Sequence, residues 1–187
     1  MSRFCHLLQT KERPEQISTQ MNLFGDRQLV RRSGVNIQAE EALQNKVVAL
    51  YFSARWCPPC NQFTPVLAEF YNELRENDLP FEIVFVSSDK TASDMDKYLK
   101  KCHGDWLAVP FGSEMIQELK NRYHVTAIPK LIVVTDEGDV VTAMGRKEVT
   151  ENGPKCFTHW AHAVATAREE VATTVTKASG RFTAGFE

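Results

Sequence analysis

The segment from Lys46 to Ser53 is a continuous apolar run rich in Val and aromatic residues. It is far shorter than the roughly 18 apolar residues of a membrane span and shows no alternation of apolar and polar positions, so it reads as a central strand buried on both faces. A strand of that kind needs helices above and below it. From Pro58 to about Asn77 the apolar residues Phe63, Val66, Leu67, Phe70, Tyr71 and Leu74 recur at helical spacing, which predicts an amphipathic helix entered directly from the strand, with a kink at Pro65.

The remaining pattern continues the alternation. Arg27 to Arg31 reads as a short edge strand, Ala39 to Gln44 as a brief helix and Phe81 to Ser87 as a second buried strand. Ser93 to about Cys102 reads as a helix with Met95, Tyr98, Leu99 and Cys102 on one face and Gly104 as its stop. Trp106 to Phe111 is a short apolar connection, and a helix capped at or beside Ser113 runs to about Tyr123, with Met115, Ile116, Leu119 and Tyr123 inward. Leu131 to Thr135 and Asp139 to Ala143 flank a three-residue turn and form an antiparallel hairpin, and Pro154 opens a last helix from about Lys155 to Val171. Together these predict an α/β fold: one mixed sheet with helices on both faces, closing on a hairpin and a helix.

The chain has 187 residues, 43% of them hydrophobic, enough for one full core. Residues 1–20 read as a flexible N-terminal extension, 21–170 as the domain and 171–187 as a flexible C-terminal tail. A net charge of −2 offers no bulk attraction to phosphate backbones or anionic lipid, so no nucleic-acid or membrane-surface role is expected. No apolar run spans a membrane and the first ten residues lack the apolar core of a signal peptide, so a cytoplasmic location is expected, with a nuclear one also open.

The chemical signal lies between the central strand and its helix, at Trp56-Cys57-Pro58-Pro59-Cys60. Two thiols three residues apart at a helix start can reach each other, and the helix dipole favours a thiolate at the first. Cys57 is therefore the expected exposed nucleophile. Cys60, one turn inside and shielded, would attack the mixed disulfide formed at Cys57. Pro58 and Pro59 stiffen the bridge between them. The rival reading of C-x2-C is half of a zinc site, but no second C-x2-C exists. Cys156, His159 and His162 are the best remaining ligands, about a hundred residues away on one helix, where they more readily fill ordinary helix positions, so no metal is expected. Cys5 reads as part of a mobile end, Cys102 and Cys156 as small buried hydrophobes and His124 as a surface residue. A further signal is Ile128-Pro129 directly before a strand, where proline is tolerated and a cis bond is an option.

Trp56-Cys57-x-Pro59-Cys60 after an apolar strand, Pro65 five residues beyond the second Cys and Ile128-Pro129 before a terminal hairpin together resemble the thioredoxin superfamily. The resemblance is closest to its tryparedoxin and nucleoredoxin branch. It is carried by Tyr51-Phe52-Ser53-Ala54, Phe63-Thr64-Pro65, Phe81 through Asp89, His103 through Phe111 and Gly145-Arg146, and covers roughly Met21 to Ala165. It implies a thioredoxin-like fold, a redox-active Cys57–Cys60 disulfide, a cis Pro129 packed beside the sulfurs, and Trp56, Pro58, Ile128 and Pro129 as the client-docking surface. Thioredoxin has a buried Asp six residues before the first Cys, which helps to move the second Cys proton; this chain has Tyr51 there. Tyr51 is thus the candidate for proton-transfer support, and slower general reductase turnover is expected.

By the same resemblance the chain is a protein-disulfide reductase acting on disulfide-containing client proteins, with no bound cofactor. It would draw electrons from an external reductant, the thioredoxin reductase or glutathione system, since no G-x-G-x-x-G fingerprint occurs. Nucleoredoxin-like relatives are linked to maintenance of sensory neurons such as photoreceptors, and the same role is expected here. The alternative is a non-catalytic trophic or protein-binding module on the same fold.

Overall fold

The computed structural model describes residues 23–182. Its elements in chain order are β1 (Gln28–Val30), β2 (Asn36–Gln38), α1 (Ala39–Leu43), β3 (Val47–Ser53), α2 (Pro58–Glu76), β4 (Phe81–Ser87), α3 (Ala92–Cys102), β5 (Leu107–Ala108), α4 (Met115–Arg122), β6 (Lys130–Val134), β7 (Val140–Thr142), α5 (Gly145–Asn152) and α6 (Lys155–Phe182). The strands form one sheet in the order β2-β1-β5-β4-β3-β6-β7. The central trio β3, β4 and β5 is parallel, with β3 and β4 in register from Val47↔Phe81 to Ser53↔Ser87. Antiparallel pairs complete the sheet on either side, β1 with β2 and β5, and β6 with β3 and β7.

Successive side chains of a strand point to opposite faces, so the unbroken apolar run of β3 feeds two cores at once. Val47, Ala49 and Tyr51 pack with Phe63, Leu67, Phe70, Tyr71 and Leu74 of α2, Tyr98 of α3, and Phe157 and Trp160 of α6. Val48, Leu50 and Phe52 pack on the other face with Ala39, Ala42 and Leu43 of α1 and Met115 and Leu119 of α4. The mixed sheet with helices on both faces and a closing hairpin and helix is therefore the observed architecture. Among the described residues no helix is long and apolar enough to cross a membrane.

Several expectations are corrected. The Arg27–Arg31 strand lies one place in from the edge, because β2 pairs outside it. Val66 faces outward on α2, since the apolar stripe is narrower than its sequence spacing suggests. Cys102 is exposed, falling beyond the buried Met95, Tyr98 and Leu99 stripe of α3. Gly104 does not end that helix through a left-handed backbone; it makes room for Trp106, whose ring carbon would lie 2.7 Å from an added Cβ. The connection from Trp106 contains β5, and α5 stands between hairpin and last helix where no element was expected. The loose tail expected from Val171 is helical to Phe182, because extending an existing helix is far easier than starting one. The extension over residues 1–20, the domain start at Met21 and Cys5 lie outside the described residues.

Candidate active site

The carboxyl end of β3 delivers the chain through Ala54-Arg55-Trp56 into the first turn of α2. Cys57 occupies the N-cap with an extended backbone (φ −92°, ψ 110°), and Pro58, Pro59 and Cys60 form the first turn. The Cys57 carbonyl accepts from the Asn61 N–H at 3.1 Å, closing that turn. Both prolines lack an N–H, so of the first three helical residues Cys60 alone offers a backbone donor toward charge at Cys57.

Cys57 and Cys60 are joined as a disulfide, with Cα atoms 5.2 Å apart. The expected contrast between an open and a shielded sulfur is only slight in this oxidised state: Cys57 is 3% exposed and Cys60 fully buried. The two sulfurs and Ala54 form a small apolar cluster with Ile128 packed on it. The Ile128–Pro129 bond is cis, as the resemblance implied, and the Ile128 carbonyl oxygen lies 3.8 Å from Cys57 Sγ. Pro129 is buried beneath, while Pro58 is exposed beside the motif.

Trp56 is the prominent surface group of the site at 57% exposure. Its indole N–H donates to the Ser88 carbonyl at 3.0 Å, and the Ser88 N–H donates to the Ser53 carbonyl at 2.9 Å, so the loop after β4 fixes the ring. Asp89 reinforces the loop by accepting from the Arg55 N–H at 2.8 Å and from the Ser87 hydroxyl at 2.9 Å. Burial raises the Asp89 pKa, and these donors oppose the shift. Thr91 caps α3 through the Asp94 N–H, and Asp94 pairs with Arg55 at 2.8 Å.

Behind Cys60 a buried hydroxyl cluster occupies the space where a carboxylate was missed. The Thr64 hydroxyl donates to the Cys60 carbonyl at 2.8 Å and lies 2.8 Å from the Tyr51 hydroxyl and 2.5 Å from the Tyr98 hydroxyl. Threonine has one hydroxyl proton and two lone pairs. Because the proton goes to the carbonyl, both tyrosines must donate to Thr64, and Ser53 in turn donates to Tyr98 at 3.1 Å. The Tyr51 proton is thus committed to Thr64. Burial, assisted by Tyr98, lifts the Tyr51 pKa well above the ordinary tyrosine value, so the phenol stays protonated. Tyr51 clamps the first turn of α2 through Thr64.

The three candidate zinc ligands of α6 do not converge: Cys156 is buried in the core, while His159 and His162 are exposed. Burial, followed by the nearby Glu148, pushes the Cys156 thiol up to about 12. His124 is exposed, with a left-handed backbone (φ 49°). Sequence reasoning missed Ser53, Thr64, Asp89 and Tyr98 as site residues. Thr64 carried the one visible signal, a hydroxyl on the apolar face of α2.

Fold and site together define a thioredoxin-fold protein with a redox dithiol at a helix N-terminus. The chain matches the Thioredoxin-like family model over residues 45–140. It is 33% identical over 153 residues to nucleoredoxin-like protein 1 of Mus musculus, covering 76% of this chain and 70% of that protein. Nucleoredoxin of Danio rerio is 42% identical over 116 residues, which are 62% of this chain and 27% of the relative, so the match spans about a quarter of the nucleoredoxin length. The crystal structure of tryparedoxin I from Crithidia fasciculata superimposes with a TM-score of 0.63 at 40% identity, over 71% of this chain and 90% of that one. The chain belongs to the thioredoxin-like family, in its nucleoredoxin and tryparedoxin branch.

Proposed function

We propose that the chain is a thiol–disulfide oxidoreductase that reduces disulfides of client proteins through Cys57 and Cys60. The observation that carries this reading is the placement of the pair: a dithiol at the α2 N-terminus, with Cys57 Sγ against the Ile128 carbonyl and beside an exposed Trp56. In the reduced protein the Cys57 thiolate attacks one client sulfur, the client S–S bond breaks, and the departing client thiolate takes up a proton. Cys60 then attacks Cys57 Sγ; the mixed disulfide breaks, the second client thiol leaves, and the Cys57–Cys60 disulfide forms. The protein ends oxidised by two electrons, the client reduced by two. An external reductant, the thioredoxin reductase or glutathione system, returns the dithiol, and no bound cofactor is required.

Trp56, Pro58 and Ile128 border the sulfurs and form the docking rim, with Pro129 supporting it from beneath. The low exposure of Cys57 restricts approach to client segments narrow enough to lie along that rim. Maintenance of sensory neurons such as photoreceptors, in the cytoplasm or nucleus, is the biological setting we assign on family grounds.

The test uses the full chain in an insulin reduction assay, with dithiothreitol supplying electrons, beside the Cys57→Ser/Cys60→Ser variant. Turnover in the parent and background rates in the variant are the expected result. Trapping on Cys60→Ser should capture clients as mixed disulfides at Cys57. Full cellular activity of the double variant would replace this reading with that of a non-catalytic binding module.

A further inference from the structure

A second thiol site adjoins the first without belonging to it. Cys102, in the last turn of α3, is exposed and lines a cavity of about 460 Å³ together with Arg55, Asn61, Lys97, Tyr98 and Lys101. That volume lies in the range of small-molecule sites. Lys97 and Lys101 are one turn apart on α3, as are Tyr98 and Cys102, so the two rows stand side by side on one wall. The opposite wall is the active-site loop, held by the Asn61 side-chain amide donating to the Arg55 carbonyl at 2.9 Å.

The charge of this cavity opposes that of the chain. The protein carries a net charge of −2, yet among the described residues three cations and no acidic side chain line the space. Asp94 pairs with Arg55 from outside the lining and also feels the Lys97 charge, and Asp96 engages Lys100. Lys97 and Lys101 form no ion pair among the described residues. A cationic concavity with an accessible thiol at its wall suits a small anion that carries sulfur, because the charges concentrate the ligand where the thiol can react.

We propose that this cavity binds carboxylate-bearing low-molecular-weight disulfides and that Cys102 forms a mixed disulfide with them. Glutathione disulfide represents the class. In the step, Cys102 Sγ gives up its proton to solvent and attacks one reagent sulfur. The reagent S–S bond breaks, the Cys102–glutathione bond forms, and one glutathione leaves as a thiolate with the electron pair. Cys102 is oxidised and the departing glutathione is reduced. The step is independent of whether Cys57 and Cys60 turn over clients.

The experiment uses the full chain carrying Cys57→Ser, Cys60→Ser and Cys5→Ser, which leaves Cys102 and the buried Cys156. Modification by glutathione disulfide and by cystamine, a cationic disulfide, is followed by intact mass and peptide mapping. Cys102 is expected to be the modified residue, reacting about tenfold or more faster with glutathione disulfide, a preference that added salt weakens. Lys97→Gln/Lys101→Gln should bring the two rates to near equality while the circular dichroism spectrum stays unchanged. Equal rates in the parent, a preference that survives loss of both lysines, or modification at Cys156 instead would each overturn the proposal.

Discussion

Thr64 shows how one hydroxyl can organise the space behind the second cysteine of a redox pair. Its proton satisfies the Cys60 carbonyl while its lone pairs receive Tyr51 and Tyr98, so three elements, β3, α2 and α3, meet at a single oxygen. Thr64→Val keeps the shape but removes the acceptor shared by the Tyr51 and Tyr98 phenols. A loss of about 2–4 kcal/mol in urea unfolding is expected, against about 1 kcal/mol for Tyr51→Phe, which leaves Thr64 with Tyr98. Comparable losses for the two variants would show that Thr64 is not the hub. At this scale the sequence was legible where local spacing defines chemistry: Trp56, Cys57, Cys60 and the Ile128-Pro129 pair all fall at the site. It was not legible where the partners come from distant elements. Nothing local to Ser53 or Tyr98 announces their contact 45 positions apart, and the same is true of Asp89 beside Arg55. Cys102 was misjudged because it continues the buried stripe in phase but sits at the end of α3, beyond the last packed members Tyr98 and Leu99.

Elements buried on both faces or along a broad stripe announced themselves, as β3, β4 and α2 did; α5 did not, because Val149 is its one buried apolar anchor. β5 escaped notice because two residues paired to a parallel neighbour carry no period. The connection from α3 into β5 is built around His103, which the resemblance quoted only as part of a block. Its Nδ1 accepts from the Trp106 indole N–H at 2.9 Å, placing the ring proton on Nε2, and Tyr98 and Phe85 stack edge-on at 4.3 and 4.5 Å. Among the described residues Nε2 has no hydrogen-bond partner, and burial, with Arg32 nearby, pulls the His103 pKa down to about 3. The unfolded chain takes up this proton near pH 6.5, whereas the folded protein resists it to about pH 3. The unfolded state therefore binds more protons in that window, and folding stability falls as pH drops through it, by up to about 1.4 kcal/mol per unit from this residue. Urea unfolding at pH 7 and pH 5 reads the slope. His103→Gln keeps an acceptor for Trp106 and should flatten it; an unchanged slope would assign the acid sensitivity to other groups.

The molecule separates its chemistry from its anchorage along the length of the sheet. The disulfide lies past the carboxyl end of β3, while the amino end carries the ion pairs that tie the sheet to its surroundings. There Arg168 of α6 grips Asp136 of the β6–β7 turn through two hydrogen bonds of 2.7 and 2.9 Å, and donates a third to the Lys46 carbonyl at 3.0 Å just before β3. The Asp136 side chain is 10% exposed, so this pair is largely removed from water. Removing one partner of such a pair leaves a desolvated charge behind, which costs far more than loss of a surface contact. Arg168→Ala should therefore destabilise the fold by about 2–4 kcal/mol, because Asp136 loses both donors and the Lys46 carbonyl loses one. Arg168→Ala/Asp136→Ala removes the stranded charge and should recover part of that loss. β3 separates the pair from the sulfurs by seven residues, about 23 Å of strand. The folded fraction of both variants should consequently retain parental disulfide exchange at Cys57, read as insulin reduction per folded molecule. A drop in that specific rate at temperatures well below the unfolding midpoint would mean that the two ends of the sheet are coupled.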